Sequence, residues 1–289
     1  LLLLYSFHEK NQGKPEEKRS CPGGTFPVFP AYFKPEGGFS MVLYPIGTTK
    51  ACYAAAAILQ KSGFSVTDHP SPEVTALLLD VPSFRENGLL RSGESLASVL
   101  ERLSESVTIL GGNPTPEFRD RCHFLDLLAD PFYLAQNAAI TASCAIALAG
   151  QMLQTTLPRS RILIIGWGRI GKCLARQLRG MGADPTIAVR KPEDLAMLRA
   201  LGYDAVSVRA LAPVLPGIRL LLNTAPAPIL TETDFPDGSR CLKLDLASRP
   251  GILCPDAVRA GGLPGKLAPE SSGALIAETV ERFRKEGKL

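Results

Sequence analysis

A glycine-rich turn, GWGRIG at residues 166–171, carries the clearest chemical pattern in the sequence. It follows the apolar run RILII and precedes the helical pattern KCLARQLRGMG, and this context is what makes G-x-G-x-x-G informative. The first glycine permits a tight turn, the second lets the backbone approach a pyrophosphate, and the third lets helix and strand pack closely. Amide groups and the dipole at the helix start attract phosphates. We therefore predict a dinucleotide site, rather than a βα turn without a ligand, formed by Gly166, Gly168, Arg169, Ile170 and Gly171.

Two cations follow the next predicted strand, PTIAV, where an NAD site would usually place an acidic residue. A carboxylate at that position accepts hydrogen bonds from the ribose 2′-hydroxyl and repels a 2′-phosphate. A guanidinium reverses this preference, because it can hold the 2′-phosphate through charge-assisted hydrogen bonds. Arg190 and Lys191 therefore predict NADP as the cofactor, with NAD as the alternative. The other interpretation is an exposed pair of cations at a strand end.

Polar residues also follow two later strand patterns, RLLLN and CLKLD. Open α/β sheets bind ligands outside the carboxyl ends of their strands. The first strand end therefore adds Asn223, Thr224, Ala225 and Pro226 to the predicted cofactor site, and the second adds Asp245. Ser248 and Arg249 follow directly. We expect Arg249 to hold a substrate carboxylate near the nicotinamide, and the alternative is an ordinary surface arginine.

The elements that must position these residues alternate from residue 41 onward between short apolar runs and helical patterns. Such alternation predicts parallel sheets covered by helices. We expect two α/β domains: a Rossmann NAD(P)-binding domain at 141–273, and a smaller flavodoxin-like parallel-sheet domain at 41–140 that a C-terminal helix at 274–289 completes. Residues 1–40 are rich in proline, glycine and charge, show no periodicity, and are expected to form a disordered extension.

Composition narrows the classes of function. Lysine and arginine total 32 against 28 acidic residues, a formal net charge of +4 with no basic block, so no nucleic-acid partner is expected. Seven cysteines without a C-x-x-C pair indicate reduced thiols in a cytoplasmic protein. Three scattered histidines predict no zinc site. No apolar run approaches the roughly 20 residues of a membrane span, and the apolar helix expected at 137–155 should pack between the two domains.

Four stretches, taken in order, resemble a family formed by the nucleotide-binding, A-type subunit of dipicolinate synthase, with which spore-forming bacteria make pyridine-2,6-dicarboxylate. They are DLLADPFYLAQNAAITA, IIGWGRIG running to AVRK, LLLNTAPAPIL, and residues 244–273 with DLASRPG and GLPGKLAP. The resemblance spans residues 41–289 and is strongest from Asp126 onward. The last stretch is far more specific than the glycine motif.

The resemblance implies an NADP-linked oxidation of a dihydrodipicolinate-type ring, with a flavoprotein-like partner of the B type and the mother-cell cytoplasm as its location during sporulation. A homo-oligomer is also compatible with it. Loss of a hydride and a ring proton leaves an aromatic pyridine, so a strong general base is not required. Two substrate carboxylates need cations, and backbone groups of 262–265 would help to orient them. The implied catalytic residues are Arg249, Lys266, Ser248, Asn137 and Thr141.

The chain departs from the family pattern at four places. Ser143 stands where family members commonly have the glutamate of T-A-E-G, Glu270 stands where they have the lysine of P-K-T-A-G, and the turn GTTK at 47–50 replaces a G-D-x-R-Q type turn. The chain is also several residues shorter between Pro255 and Gly262. A non-catalytic NADP-binding or scaffolding subunit is therefore one alternative. A relative of the D-2-hydroxyacid dehydrogenases is another, but those enzymes need a histidine late in the nucleotide domain, and none lies beyond His123.

Overall fold

Two parallel β-sheets built from short apolar strands organise the chain. The computed structural model describes residues 41–104, 106–236 and 238–289, all within one compact unit. The extension predicted at 1–40 lies outside the described residues. The predicted fold class, an α/β protein with a Rossmann sheet and a smaller flavodoxin-like parallel sheet, is confirmed by the strand orders of the two sheets.

The first sheet has five parallel strands in the order β2-β1-β3-β4-β5. This order reverses direction between β1 and β3, which is the flavodoxin-like switch point where ligands bind. Its third strand, ALLL, is buried along its whole length, as expected for a strand covered by helices on both faces. The strands are β1 (Val42–Ile46), β2 (Ser65–Val66), β3 (Ala76–Leu79), β4 (Thr108–Gly111) and β5 (Phe124–Asp126).

The second sheet has six parallel strands in the order β13-β11-β9-β6-β7-β8, which is the doubly wound Rossmann order with its switch point between β6 and β9. Two further strands, β10 and β12, pair separately. In chain order these strands are β6 (Ile162–Ile165), β7 (Thr186–Val189), β8 (Ala205–Ser207), β9 (Leu220–Asn223), β10 (Leu230–Thr231), β11 (Leu242–Asp245), β12 (Ile252–Leu253) and β13 (Val258–Arg259).

Eight α-helices cover the sheets and connect them within the described residues. The pattern SLASVLERLSE predicts a second helix longer than the five residues observed. The observed helix is short because the fully buried side chains lie only in the first part of this pattern. The helices are α1 (Lys50–Lys61), α2 (Leu96–Leu100), α3 (Pro116–Arg121), α4 (Pro131–Met152), α5 (Arg169–Gly180), α6 (Pro192–Ala200), α7 (Leu263–Leu267) and α8 (Pro269–Lys285).

Helix α4 links the two sheets and consists largely of apolar residues. Its carboxylate cap, Asp130, accepts a 2.8 Å hydrogen bond from the amide of Tyr133, and Pro131 at the first position is preorganised for the helix. By length and hydropathy alone α4 could cross a bilayer, so the expectation that no apolar run reaches that length is wrong. Its side chains belong to the cores of both sheets, and this position within the fold explains the composition.

Helix α8 packs across α1, on the first sheet, at the end of the chain. The closest approach lies at Gly273, where a Cβ would stand 2.6 Å from the Cβ of Ala54 and 2.8 Å from the carbonyl oxygen of Ala51. Only glycine permits this spacing. Helix α8 is therefore held closely against α1, which packs on the first sheet. The division into domains stays a prediction, and its boundary at residue 140 falls inside α4.

Six cysteines lie in the part of the chain that the structure describes, and all six are free thiols. Four are buried and two are half-buried, in agreement with the prediction of reduced, packed thiols. Burial raises the pKa of Cys52 well above its ordinary value and the pKa of Cys241 to about 11. These thiols are therefore protonated at neutral pH and are poor nucleophiles.

Candidate functional site

The glycine turn lies at the switch point of the second sheet, between the carboxyl end of β6 and the start of α5. Gly166 has φ +102°, a conformation that side chains rarely adopt. A Cβ on Gly171 would overlap the carbonyl oxygen of Gly166, so the helix can approach the strand only with glycine there. At Gly168, by contrast, no atom lies within 4 Å of where a Cβ would stand. The turn thus leaves open space at the glycine that should face a pyrophosphate.

A cavity of about 220 Å³ adjoins this turn and is lined by the first residues of α5. The N-cap residue of this helix, Gly168, has no side chain that could cap the amides of the first turn. Uncapped amides and the helix dipole favour an anion. Thr224 closes the cavity from the end of β9, and its hydroxyl is held by a 2.9 Å bond to the carbonyl oxygen of Ile165. The residues present therefore fit a pyrophosphate. Those lining the cavity are Leu134, Asn137, Ala138, Gly168, Arg169, Ile170 and Thr224.

The two cations predicted to select NADP lie at the carboxyl end of β7. Arg190 and Lys191 are both exposed and directly follow the strand next to the glycine turn. Neither forms a salt bridge with another residue that the structure describes. Both cations are therefore available to an anionic ligand.

The prediction that Asn223 and Asp245 contact the cofactor conflicts with the structure, because both residues are completely buried. The carboxylate of Asp245 accepts hydrogen bonds from Asn223 Nδ2 (2.8 Å) and the amide of Gly251 (2.8 Å), and it pairs with Arg259. Burial would raise the pKa of Asp245, but these hydrogen bonds hold it below its ordinary value. This network fixes the loops after β9 and β11. Asn223 and Asp245 therefore hold the backbone next to the site in place without being exposed to a ligand.

A second, larger cavity of about 450 Å³ opens at the switch point of the first sheet. This volume falls within the roughly 300–1,000 Å³ typical of small-molecule sites. It extends to the loop before α7 and to the first turn of α8, and Asn137 on α4 lines both cavities. A ligand in one cavity would therefore be a neighbour of a ligand in the other. The polar side chains in its lining are Thr49, Arg91, Tyr133, Asn137, Lys266 and Ser272.

Among the described residues, the charged and hydrogen-bonding side chains that line this larger cavity are cations and neutral groups, with no carboxylate. Lys266 donates a 3.0 Å bond to the carbonyl oxygen of Gly261, and Arg91 donates from Nε to the carbonyl oxygen of Pro82 at 2.9 Å. Neither cation forms a salt bridge with a described residue. Burial raises the pKa of Tyr133 to about 12, so its phenol stays protonated at neutral pH. The cavity is therefore suited to a small anion.

Three residues predicted to act on the substrate do not line this cavity. Ser248 and Arg249 are exposed beyond the end of β11. Thr141, which was expected to face the cleft, is buried and donates a 2.7 Å hydrogen bond to the carbonyl oxygen of Asn137 within α4. Of the predicted catalytic set the structure thus brings Asn137 and Lys266 together, along with Gly262, Pro264 and Gly265 at the start of α7.

Of the departures from the family pattern, the 47–50 turn reaches the lining of the larger cavity through Thr49, whereas Ser143 and Glu270 lie outside that lining. Ser143 lies on the contact between α4 and α5 and donates a 3.1 Å hydrogen bond to Gln177 Oε1, whereas Glu270 is exposed. In the 47–50 turn, the amides and hydroxyls of Thr48 and Thr49 bond to the buried carboxylate of Asp80 at 2.5–3.1 Å. These bonds fix the start of α1.

Sequence reasoning missed Arg91, Tyr133, Thr49 and Ser272. Arg91 lies in a loop without a recognisable motif, and Tyr133 reads as an apolar helix position. The position of this cavity depends on the strand order of the first sheet, which the sequence does not show. The only sequence signal for a site there was the polar turn after β1.

Comparisons with known proteins support this architecture. No family model matches the chain. The A-type subunit of dipicolinate synthase from Bacillus subtilis (strain 168) is 30% identical over 159 residues, which is 52% of this chain and 54% of that protein. The match thus spans about half the length of the curated relative.

Solved structures extend the likeness to most of the fold. The A-type subunit of dipicolinate synthase from Bacillus halodurans superposes with a TM-score of 0.71 at 20% identity, covering 85% of this chain and 97% of that one. A transhydrogenase from Sinorhizobium meliloti superposes with a TM-score of 0.59 at 13% identity, covering 86% and 85%. The resemblance inferred from the sequence is thereby confirmed: this chain is similar to the A-type subunit of dipicolinate synthase in sequence over about half its length and in fold over most of it.

Proposed function

We propose that the chain is an NADP-dependent oxidoreductase that oxidises a small ring dicarboxylate of the dihydrodipicolinate type. The observation that carries the proposal is the adjacency of two cavities, one at the switch point of each sheet, that share Asn137. The similarity to a transhydrogenase and to the A-type subunit of dipicolinate synthase supports an oxidoreductase with a nicotinamide cofactor.

The smaller cavity suits the cofactor. Amides at the start of α5 would hold the pyrophosphate, and Thr224 would border the cofactor on its way toward the larger cavity. Arg190 and Lys191 favour NADP over NAD, because a guanidinium binds a phosphate through charge-assisted hydrogen bonds worth about 1.5–3 kcal/mol. Such a gain corresponds to roughly ten- to a hundredfold selectivity.

The larger cavity suits the substrate. A nicotinamide bound in the smaller cavity would supply the acceptor for the hydride that leaves the ring. The chain's own groups bind and orient: Lys266 and Arg91 offer cations for carboxylates, and Asn137 and Tyr133 offer hydrogen bonds near the cofactor cavity. One ring proton passes to solvent, so that a dihydropyridine dicarboxylate and NADP⁺ yield a pyridine dicarboxylate, NADPH and a proton. Aromatisation drives the step, which agrees with a cavity lining that holds no carboxylate or histidine.

A flavoprotein-like partner of the B type and a cytoplasmic location during sporulation belong to the same proposal, and the likeness to the A-type subunit of dipicolinate synthase supports them. A non-catalytic NADP-binding subunit is the alternative, and it is favoured because the described lining of this cavity contains no carboxylate and no histidine. The hydroxyacid dehydrogenase alternative is disfavoured, because the described histidines, His69 and His123, lie outside both cavities.

The test is to incubate the full chain with freshly generated dihydrodipicolinate and NADP⁺, alone and with a candidate flavoprotein partner, and to follow NADPH absorbance and pyridine-2,6-dicarboxylate by mass. Formation of both products in equal amounts supports the proposal. Product from the chain alone would exclude the purely scaffolding alternative. No product under either condition, with nucleotide binding intact, would contradict the catalytic assignment.

A further inference from the structure

Ser272 lines the larger cavity, and its hydroxyl is buried with no hydrogen-bond partner among the described residues. The residue is only 6% exposed. Nearly all buried polar side-chain atoms in native proteins have a partner, so a single unpaired hydroxyl beside a cavity calls for an explanation. In α-helices serine usually satisfies its hydroxyl by bonding to a carbonyl one turn earlier, as Thr279 does with Leu275 on this same helix at 2.8 Å. Ser272 forms no such bond.

The surroundings of Ser272 are electropositive. It belongs to the first turn of α8, a 17-residue helix whose start has no capping side chain. The neighbouring Gly273 holds this turn against the start of α1, and Ala51 of α1 lines the same cavity. Two helix N-termini therefore meet beside the unpaired hydroxyl, and each carries a partial positive charge. Lys266 and Arg91 add two full positive charges to the same lining.

We propose that Ser272 is a specificity-determining residue whose hydroxyl donates a hydrogen bond to one carboxylate of a dicarboxylate ligand, at a subsite between the N-termini of α1 and α8. Lys266 and Arg91 then serve the second carboxylate. The cost of burying an unpaired hydroxyl in the free protein is recovered when the ligand binds. The inference rests on the proposed function for the class of ligand, but it requires neither turnover nor bound cofactor.

The test is calorimetric titration of the full chain with pyridine-2,6-dicarboxylate and, separately, with pyridine-2-carboxylate. We expect the wild-type chain to prefer the dicarboxylate, and Ser272→Ala to weaken dicarboxylate binding by about tenfold or more while changing monocarboxylate binding less. Ser271→Ala is the matched control, since Ser271 is the preceding residue and is exposed. It should bind both compounds as the wild type does.

A second readout separates a ligand contact from a structural role. Without ligand, Ser272→Ala should melt at the same temperature as the wild type or higher, because it removes a buried group that has no partner. A lower melting temperature would overturn the proposal, and so would unchanged dicarboxylate binding by Ser272→Ala. If the wild type bound no dicarboxylate, the proposal and the substrate class would both fall. If only NADP binding were absent, the oxidoreductase assignment would fall and the Ser272 subsite would stand.

Discussion

Gly168→Ala should abolish dinucleotide binding while leaving the fold intact. Gly168 has φ −77° and ψ −170°, an extended conformation open to any residue, and no atom lies within 4 Å of the added Cβ. Alanine lowers the conformational entropy of the unfolded chain, which stabilises the fold slightly, but it is a poorer N-cap residue than glycine, which destabilises the helix slightly. The free energy of unfolding should therefore change by less than about 1 kcal/mol.

The effect on binding should be much larger, because the new methyl occupies the open space in which a pyrophosphate would approach the amides of α5. Loss of two charge-assisted hydrogen bonds, each worth about 1.5–3 kcal/mol, predicts at least a 100-fold weaker affinity. Calorimetry with NADP⁺ and urea unfolding would measure the two quantities on the same samples.

Gly180→Ala, at the other end of α5, is the control. No atom lies within 4 Å of its added Cβ either, and alanine is the better helix former by up to about 1 kcal/mol. This variant should be as stable as the wild type or more stable and should bind NADP⁺ normally. Wild-type affinity in Gly168→Ala would refute the assignment of the glycine turn as the pyrophosphate site.

Four other variants test the remaining parts of the site. Arg190→Asp should weaken NADP⁺ by roughly ten- to a hundredfold and NAD⁺ much less, and equal losses measured by calorimetry would remove Arg190 from the site. Lys266→Ala should raise KM for the substrate more than Arg249→Ala does, because only Lys266 lines the larger cavity; steady-state kinetics showing the reverse order would restore the original assignment. The pKa of Asp245 is lower in the folded chain than in the unfolded chain, where it is about 3.9. The ionised carboxylate therefore stabilises the fold above about pH 3.9, and this stabilisation is lost as the pH falls through the pKa of the folded chain. Asp245→Asn should therefore cost about 3–5 kcal/mol at pH 7 and flatten the loss of stability below about pH 4, whereas parallel urea-unfolding curves across pH would contradict this role.

The sequence was sufficient to predict the centre of the second sheet because its signals are local. The glycine turn and the buried strand patterns before it and after it are read from neighbouring residues, and the structure forms β6, α5 and β7 there. The region around α6 and β8 drew no prediction, since that helix is exposed over most of its surface and carries one fully buried side chain, Leu198.

The larger cavity was harder to predict because its lining joins residues that are distant in the chain. Arg91 follows β3, Tyr133 begins α4 and Ser272 begins α8, and no spacing rule links such positions. Their meeting depends on the strand order of the first sheet and on the close crossing at Gly273, both of which are tertiary facts. Asp245 and Asn223 illustrate the opposite error: a polar residue at a strand end suggests a ligand, but here the two side chains satisfy each other beneath the site.

The most direct test of the central claim uses Trp167, the single tryptophan of the chain. It lies between the first two glycines of the turn and packs edge-on against Tyr203 at 5.8 Å between ring centroids. Titration of the full chain with NADPH and with NADH should quench its fluorescence saturably, with NADPH binding roughly ten- to a hundredfold more tightly. An unchanged signal with both nucleotides, together with no heat in calorimetry, would contradict the assignment of this turn as a dinucleotide site.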